Sequence, residues 1–513
     1  MPKRIIGIDT GGTMAKAAVF ELDGREVGSD RRANQVLFPE PGHTEIDAEG
    51  LWRAACGAIR GALEASRTSP DDIVAVSTTG HGNGLYAVDA AGLPVAPGII
   101  STDSRAGPLG EEWMRQGHGD AAEAAIMQRF WPGQTLALLG WFKRHRPDAL
   151  ERAAALFGSK DYLRGRLTGE LSTEITEAAV SGLADLNTND YAHALFDRFG
   201  FAEVVAKLPP ILPSLEVGGT VTAKAAGETG LRAGTPVVRG LTDVVACAVA
   251  SGVTSPDQMA VIAGTFSVNE TLHAAPRRSF APMLQMPYPI GGLFIASECS
   301  ATSASNLEWI CRTLLRAEAE RAVARGSSVY EVCGELVREA LGRPATDILF
   351  MPFLFGGPAG APAGLLGMTA AHDLADVLRA VFEGIAFAHR LDIERLRRGS
   401  DAARPKVGRL AGGAARSTVW PQIFADVLAL PIEVTAAHEL GAQGAAISAA
   451  TALGHYPTIE AAVAAMVTVT RRYEPDPGRV AVYEGKFARF AAVANGLAGL
   501  GVVGPPADAN ARP

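Results

Sequence analysis

The stretch from Ile5 to Phe20 limits the fold more than any other part of the chain. An apolar run (Ile5, Ile6, Ile8) leads into a polar turn, Asp9-Thr10-Gly11-Gly12-Thr13, and a second apolar run (Ala17, Ala18, Val19, Phe20) leads away. That pattern predicts strand, tight turn, strand, with Lys16 on the return strand. Paired glycines permit positive φ and let an anion approach backbone N–H groups. A carboxylate beside them would repel a phosphate unless a cation stood between. Asp9 is therefore read as a Mg²⁺ ligand, with Thr10 and Thr13 donating to phosphate oxygens. The plainer reading is an ordinary Asp-Thr-Gly-Gly hairpin, and the stretch alone does not choose between them.

At 513 residues the chain should form two or more domains, each with its own core. Hydrophobic residues make up 48% and charged residues 20%, a globular rather than a disordered balance. The formal net charge of −8 argues against general nucleic-acid binding, which needs a basic face. Five dispersed cysteines without a CxxC pair fit reduced thiols better than disulfides or a zinc site. Met1-Pro2-Lys3-Arg4 runs straight into a strand, without the apolar core of a signal peptide. The run from Gly441 to Thr458 reads as a buried Ala/Gly-rich helix and turn, not a membrane span. The expected location is the cytoplasm.

Further along, short apolar strands run into polar loops, where α/β proteins place their sites. Asp72–Thr79 enters Gly80-His81-Gly82-Asn83-Gly84, and Ile99-Ile100 enters Ser101-Thr102-Asp103-Ser104-Arg105. His81, Asn83, Asp103 and Arg105 are candidates for one pocket suited to a polyhydroxylated ligand. The alternative is surface turns, with Arg105 pairing to Asp103. The glycine-rich loop precedes a strand rather than a helix, which discounts a dinucleotide fold. Asp243 stands between a glycine turn and the apolar run Val244–Ala250. It reads as a helix N-cap or as a general base at the mouth of a cleft.

Met259–Asn269 then repeats the opening theme, with Gly264-Thr265 at the turn. Two such hairpins, one opening each half, predict a duplicated architecture with a cleft between the halves. Val407–Ala411 enters a further glycine turn, Gly412-Gly413, followed by Ser417. The tail 501–513 is expected to be disordered.

In this order, the motifs resemble the FGGY-type carbohydrate kinases, within the actin-like ATPases that share duplicated ribonuclease-H-like halves. Asp9-Thr10-Gly11-Gly12-Thr13 with Lys16 is similar to the family's first phosphate motif, Gly264-Thr265 to the second, and Gly412-Gly413 to the adenosine motif. Asp243 falls where the family has its catalytic aspartate. Asp103-Ser104-Arg105-Ala106, Lys160-Asp161-Tyr162-Leu163, Ser303–Trp309 and Pro352–Gly356 look most like the L-xylulose/3-keto-L-gulonate branch. The chain has Gly356-Gly357-Pro358-Ala359-Gly360 where many members carry a Gly-Glu-Arg-like motif. His81 and Asn83 stand in place of Gln followed by His, and Ser417 in place of an asparagine near the adenine.

The resemblance implies an α/β fold of two such domains, 1–252 for sugar and catalytic base and 253–500 for nucleotide, with the active site in the cleft between them. It implies ATP and Mg²⁺ as cofactors, a sugar or polyol substrate and frequent homodimers, with no nucleic-acid or membrane partner. Asp243 would be the base. Thr10, Gly11, Gly12, Thr13, Lys16, Gly264, Thr265, Gly412, Gly413 and Ser417 would hold the nucleotide. L-xylulose or a related keto-sugar acid is the expected acceptor, with erythritol, D-xylulose, ribulose and glycerol as alternatives. A sugar-sensing pseudokinase would lack the base or add a DNA-binding segment. A chaperone-type ATPase would need a peptide-binding extension after the ATPase core.

Overall fold

In this computed structural model, residues 3–278, 281–398 and 404–498 are described; the 501–513 tail lies outside them. Packing divides the chain into two units. The first gathers Met1–Thr254, Leu272–Ala296 and Ala437–Thr468, and the second Ser255–Thr271, Ser297–Ala436 and Val469–Pro513. A boundary drawn at 252/253 therefore does not describe how Ala437–Thr468 packs.

The first unit is built on a sheet ordered Val217–Thr220, Pro236–Val238, Ile73–Gly80, Arg4–Thr10, Met14–Glu21, Glu26–Ala33. Arg4–Thr10 pairs antiparallel with Met14–Glu21 and parallel with Ile73–Gly80, which pairs parallel with Pro236–Val238. The three parallel strands thus end at one edge. The helix Ala48–Ala65 covers the Met14–Ala33 hairpin; Asp47 caps it by accepting the Glu49 N–H, and Leu51, Trp52, Ala55 and Ile59 are buried on its inner face. Each large apolar side chain so removed from water is worth roughly 1.5–3 kcal/mol before entropy is counted.

On the other face lies Leu440–Ala452, the Ala/Gly-rich helix expected from sequence, buried from Gly441 to Ala450. Its small residues are a packing requirement. A Cβ on Gly7 would come within 1.9 Å of the Ala442 carbonyl oxygen, and one on Gly444 within 2.1 Å of Ala246 O. The helix therefore touches both the first strand and the helix Asp243–Ala250 backbone to backbone. This close packing puts it in the first unit.

The sheet of the second unit contains, in order, the Ser267–Thr271 part of Ser267–His273, then Gln258–Ala263, Val407–Gly412, Ile432–Thr435 and Val469–Tyr473. Gln258–Ala263 pairs antiparallel with Ser267–His273 and parallel with Val407–Gly412, which pairs parallel with Ile432–Thr435; Val469–Tyr473 closes antiparallel. A hairpin, two parallel neighbours and an antiparallel edge thus occur in both units, as the repeated hairpins predicted. The helix Leu374–Leu396 runs through the second core, opened by a capping box between Asp373 and Asp376. Its buried Glu383 is held by Arg379 (2.7 Å), Tyr483 (3.0 Å) and Lys486. Among the described residues no helix is long and apolar enough to cross a membrane.

Candidate active site

In the first unit, the parallel strands bring three sequence-predicted groups to one edge. Asp9 and Thr10 end Arg4–Thr10, His81 and Asn83 follow Ile73–Gly80, and Asp243 follows Pro236–Val238. The His81 N–H donates to Thr10 O (3.0 Å), and the Thr79 hydroxyl donates to Leu241 O (2.7 Å), tying these ends together.

Asp9 faces Lys16 across the hairpin. Burial pushes its carboxyl up to about 6; Lys16 opposes the rise and Glu439 adds to it. Burial also works against the Lys16 charge, but Asp9 and Glu439 outweigh it and hold the ammonium above its ordinary value. Glu439, just before the Leu440–Ala452 helix, pairs with Lys16 at 3.2 Å. A Cβ on Gly441 would lie 2.7 Å from Asp9 Oδ2, so a glycine is needed where the helix start meets the carboxylate.

Asp243 is the first residue of its helix, with Thr242 in the N-cap position, so the cap reading of Asp243 does not hold. Burial chiefly, and the Asp9 charge next, push its carboxyl up to about 7, against the pull of the Val244, Gly82 and Asp243 backbone N–H groups. Two carboxylates here raise each other's cost of ionising, which a cation would relieve. Mg²⁺ is typically held by one or two carboxylates with phosphates and water. Asp9 with Asp243 fits that pattern, and among the described residues no cluster of three His, Cys, Asp or Glu is arranged for a metal.

The turn itself departs from the sequence expectation in two ways. The Thr10 hydroxyl is buried and donates inward to Thr79 O (3.2 Å), so its proton is spent within the protein rather than on phosphate. Gly11 and Gly12 adopt no positive φ. Their missing side chains instead leave the turn open beside the exposed Thr13, while Asn34 braces it by donating to Gly11 O (2.8 Å) and the Thr13 carbonyl (2.8 Å).

His81 and Asn83 sit in a tight bend, with φ of 65° at Asn83 and 84° at Gly84. Burial pushes the His81 imidazole down to about 4, so it is neutral. Its Nε2 lies 3.3 Å from the Tyr86 hydroxyl, and Nδ1 has no partner in the protein. Asn83 Oδ1 accepts the Thr135 N–H (3.3 Å).

The structure adds groups the sequence reading missed. Gln134, immediately before Thr135, is 0% exposed, yet neither end of its amide is hydrogen-bonded within the protein. Glu177, 2% exposed, has both carboxyl oxygens unbonded; burial raises it well above the usual carboxylate range, with Lys160 opposing and Asp243 among the groups adding to the rise. The Thr242 hydroxyl is also unbonded, beside Gly82. Buried polar groups rarely lack partners without a water or ligand to supply them. No sequence signal distinguished these residues.

Asp103 and Arg105 take the pairing that the sequence left open. Arg105 Nη2 lies 2.8 Å from Asp103 and Nη1 2.9 Å from Glu45, while Asp103 also accepts the Thr44 N–H (2.6 Å). Both are buried and committed to each other.

In the second unit, Gly264 and Thr265 form the hairpin turn, with Thr265 exposed. Gly412 (φ 82°) lies against it: a Cβ there would be 2.5 Å from Ala263 O and 2.9 Å from Gly264 N. The Gly264–Thr265 hairpin turn and Gly412-Gly413 are thus brought together. Ser417 Oγ accepts the Val419 and Trp420 N–H groups (3.2 Å each), starting the helix Trp420–Leu428.

Two α/β units of one topology, with acidic and glycine-rich turns at their strand ends, define an actin-like ATPase fold of the sugar-kinase kind. Residues 4–250 match the N-terminal domain, and 259–453 the C-terminal domain, of the FGGY family of carbohydrate kinases. The chain belongs to that family. It is 33% identical to the L-xylulose/3-keto-L-gulonate kinase of Escherichia coli (strain K12), covering 94% of this chain and 95% of that protein. It is also 33% identical to a probable L-xylulose kinase of Pasteurella multocida, covering 94% and 97%. The xylulose kinase structure from Rhodospirillum rubrum superposes with a TM-score of 0.84 at 27% identity, over 97% of this chain and 100% of that one. The protein is therefore a sugar kinase, and kinases of this family use ATP.

Proposed function

We propose that this kinase transfers the γ-phosphoryl group of ATP to a hydroxyl of a small ketose, L-xylulose foremost. Asp243 accepts the proton of the attacking hydroxyl. The observation that carries this is Asp243 beside Asp9, crowded enough to sit near neutrality, at the edge shared by the unbonded His81, Gln134 and Thr242 groups. A base that titrates near working pH suits proton removal in the transition state. Asp9 holds Mg²⁺, which neutralises phosphate charge when bound, and Lys16 keeps Asp9 anionic. Thr13 and the Gly12 N–H meet phosphate oxygens in the first unit; Gly264 and Thr265 do so in the second, with Gly412-Gly413 and Ser417 towards the nucleoside. Positioning and charge neutralisation account for most of phosphoryl transfer, so these roles suffice for the chemistry.

A neutral ketose is favoured over a keto-sugar acid. Arg105 is the guanidinium that would have met a carboxylate, and it is spent on Asp103 and Glu45, while His81 is neutral. Sugars and polyols assayed with ATP and Mg²⁺ by coupled ADP release test this. L-xylulose should give a higher kcat/KM than 3-keto-L-gulonate. Preference for the acid would overturn the substrate assignment, and ADP release indifferent to every sugar would overturn the acceptor reading. The subunit state proposed is a homodimer, checked by light scattering.

A further inference from the structure

Behind the Gly264–Thr265 turn lies a buried histidine that none of the roles above uses. His389, on the helix Leu374–Leu396, is 0% exposed. Its Nδ1 is 2.9 Å from Asn269 Oδ1 and 3.1 Å from Ser267 Oγ, both on the strand leaving the turn; its Nε2 is 3.0 Å from Ser303 Oγ. Asn269 Nδ2 donates to Ser267 Oγ (2.9 Å), which orients the Asn269 amide with its oxygen towards the imidazole. A carboxamide oxygen only accepts, so Nδ1 carries the proton. In a neutral ring Nε2 then accepts from the Ser303 hydroxyl. Burial keeps the ring neutral, pushing it down to about 3.

Ser303 immediately precedes the helix Ala304–Thr313, whose start holds the turn. The Ala304 N–H donates to Gly264 O (3.0 Å), and the Ser305 hydroxyl donates to Thr265 O (2.9 Å). Across a trans peptide, the N–H of the next residue points opposite to the carbonyl, and among the described residues there is no cis peptide. Fixing those two carbonyls on the helix start therefore turns the N–H groups of Thr265 and Phe266 away from it, and both residues are exposed.

We propose that His389 is a positioning residue for phosphate binding. It locks the start of the Ala304–Thr313 helix to the strand Ser267–His273, so that the Thr265 and Phe266 N–H groups are aimed before the nucleotide arrives. The proposal rests on the reading of Gly264-Thr265 as a phosphate turn. It differs from a merely structural role because the turn, not the core, carries the consequence.

The test is calorimetric affinity for Mg²⁺ with a non-hydrolysable ATP analogue, against adenosine, which lacks the phosphates. His389→Phe keeps an aromatic ring and removes the imidazole's hydrogen bonds; Ser303→Ala removes one; His389→Gln restores an acceptor for Ser303. The first two should each weaken the analogue about tenfold while leaving adenosine unchanged. The double variant should be no worse than His389→Phe alone, and His389→Gln should recover most of the loss. Phe490→Leu, a core change elsewhere in this unit, should lower Tm and leave the analogue-to-adenosine ratio alone. Should His389→Phe not fold, Ser303→Ala and His389→Gln carry the test. If Thr265→Ala shifts the ratio and the His389 and Ser303 variants do not, His389 has no positioning role. If Thr265→Ala also leaves it unmoved, the phosphate-turn reading fails instead.

Discussion

The two hairpin turns share topology and differ in charge. The first carries Asp9 at its tip, pressed against Lys16 and Glu439, with Asp243 adding a second carboxylate to the same edge. The second has no acid at its tip. It is held by hydroxyls, carbonyls and a neutral buried histidine. In the function proposed above, one framework serves two tasks, managing charge and proton in one unit and presenting fixed backbone donors in the other. Substitutions should fail differently in the two units: through chemistry in the first, through backbone geometry in the second.

The largest effect is expected at Asp243. Asp243→Asn should lower kcat by roughly 10²–10⁴-fold while retaining ATP binding, as loss of a general base does. Coupled ADP release and nucleotide calorimetry check both halves; near-wild-type turnover would remove Asp243 from the reaction. The substitution also deletes a crowded buried charge, so the metal-free variant should melt above the wild type. Asp9→Asn comes next, with kcat reduced by about 10²-fold and a raised Mg²⁺ requirement. An unchanged Mg²⁺ titration would show that the acid at the first turn does not serve the metal.

The second unit should respond to geometry instead. Gly412 is left-handed, and a Cβ there meets Ala263 O at 2.5 Å, so Gly412→Ala should cost on the order of 1–3 kcal/mol and weaken nucleotide binding. In the first turn, Gly12 has ordinary φ and its Cβ would find only Ile100 Cδ1 at 3.4 Å. Gly12→Ala should cost less than about 1 kcal/mol by denaturant titration. Equal losses at the two glycines would erase the contrast between the turns.

Much of this was legible in sequence because it is local. Apolar runs interrupted by Asp-Thr-Gly-Gly and Gly-Thr announce hairpins. What escaped depends on partners distant in the chain. Thr10 turns inward because the neighbouring strand presents Thr79 O, and Arg105 is neutralised by Glu45 as well as Asp103. Gln134 and Glu177 look like ordinary helix-terminal residues until burial shows that nothing in the protein bonds their polar ends. Leu440–Ala452 was readable as a buried helix, but its place on the first strand follows from backbone contacts at Gly7 and Gly444.

The smallest expected difference is in the response to mild acid, where the signs can be worked out for each unit. His389 is held down to about 3 and His81 to about 4, against 6.5 for an unperturbed histidine. The unfolded chain therefore binds more protons at these sites. Their contribution is full above 6.5 and is lost as pH falls towards the folded values, about 0.7 kcal/mol per histidine between pH 7 and pH 6. Asp9 and Asp243 act the other way. Raised to about 6 and about 7 from 3.8, they bind protons more readily in the folded state, so the same acidification relieves their repulsion and offsets the loss at His81. Hydrogen exchange at pH 7 and pH 6, without Mg²⁺, should show protection falling in Gln258–Ala263 while Arg4–Thr10 holds or gains. Parallel losses in both strands would mean that the crowded carboxylates of the first unit are not protonated near neutrality, and that the charge contrast between the turns is smaller than their geometry implies.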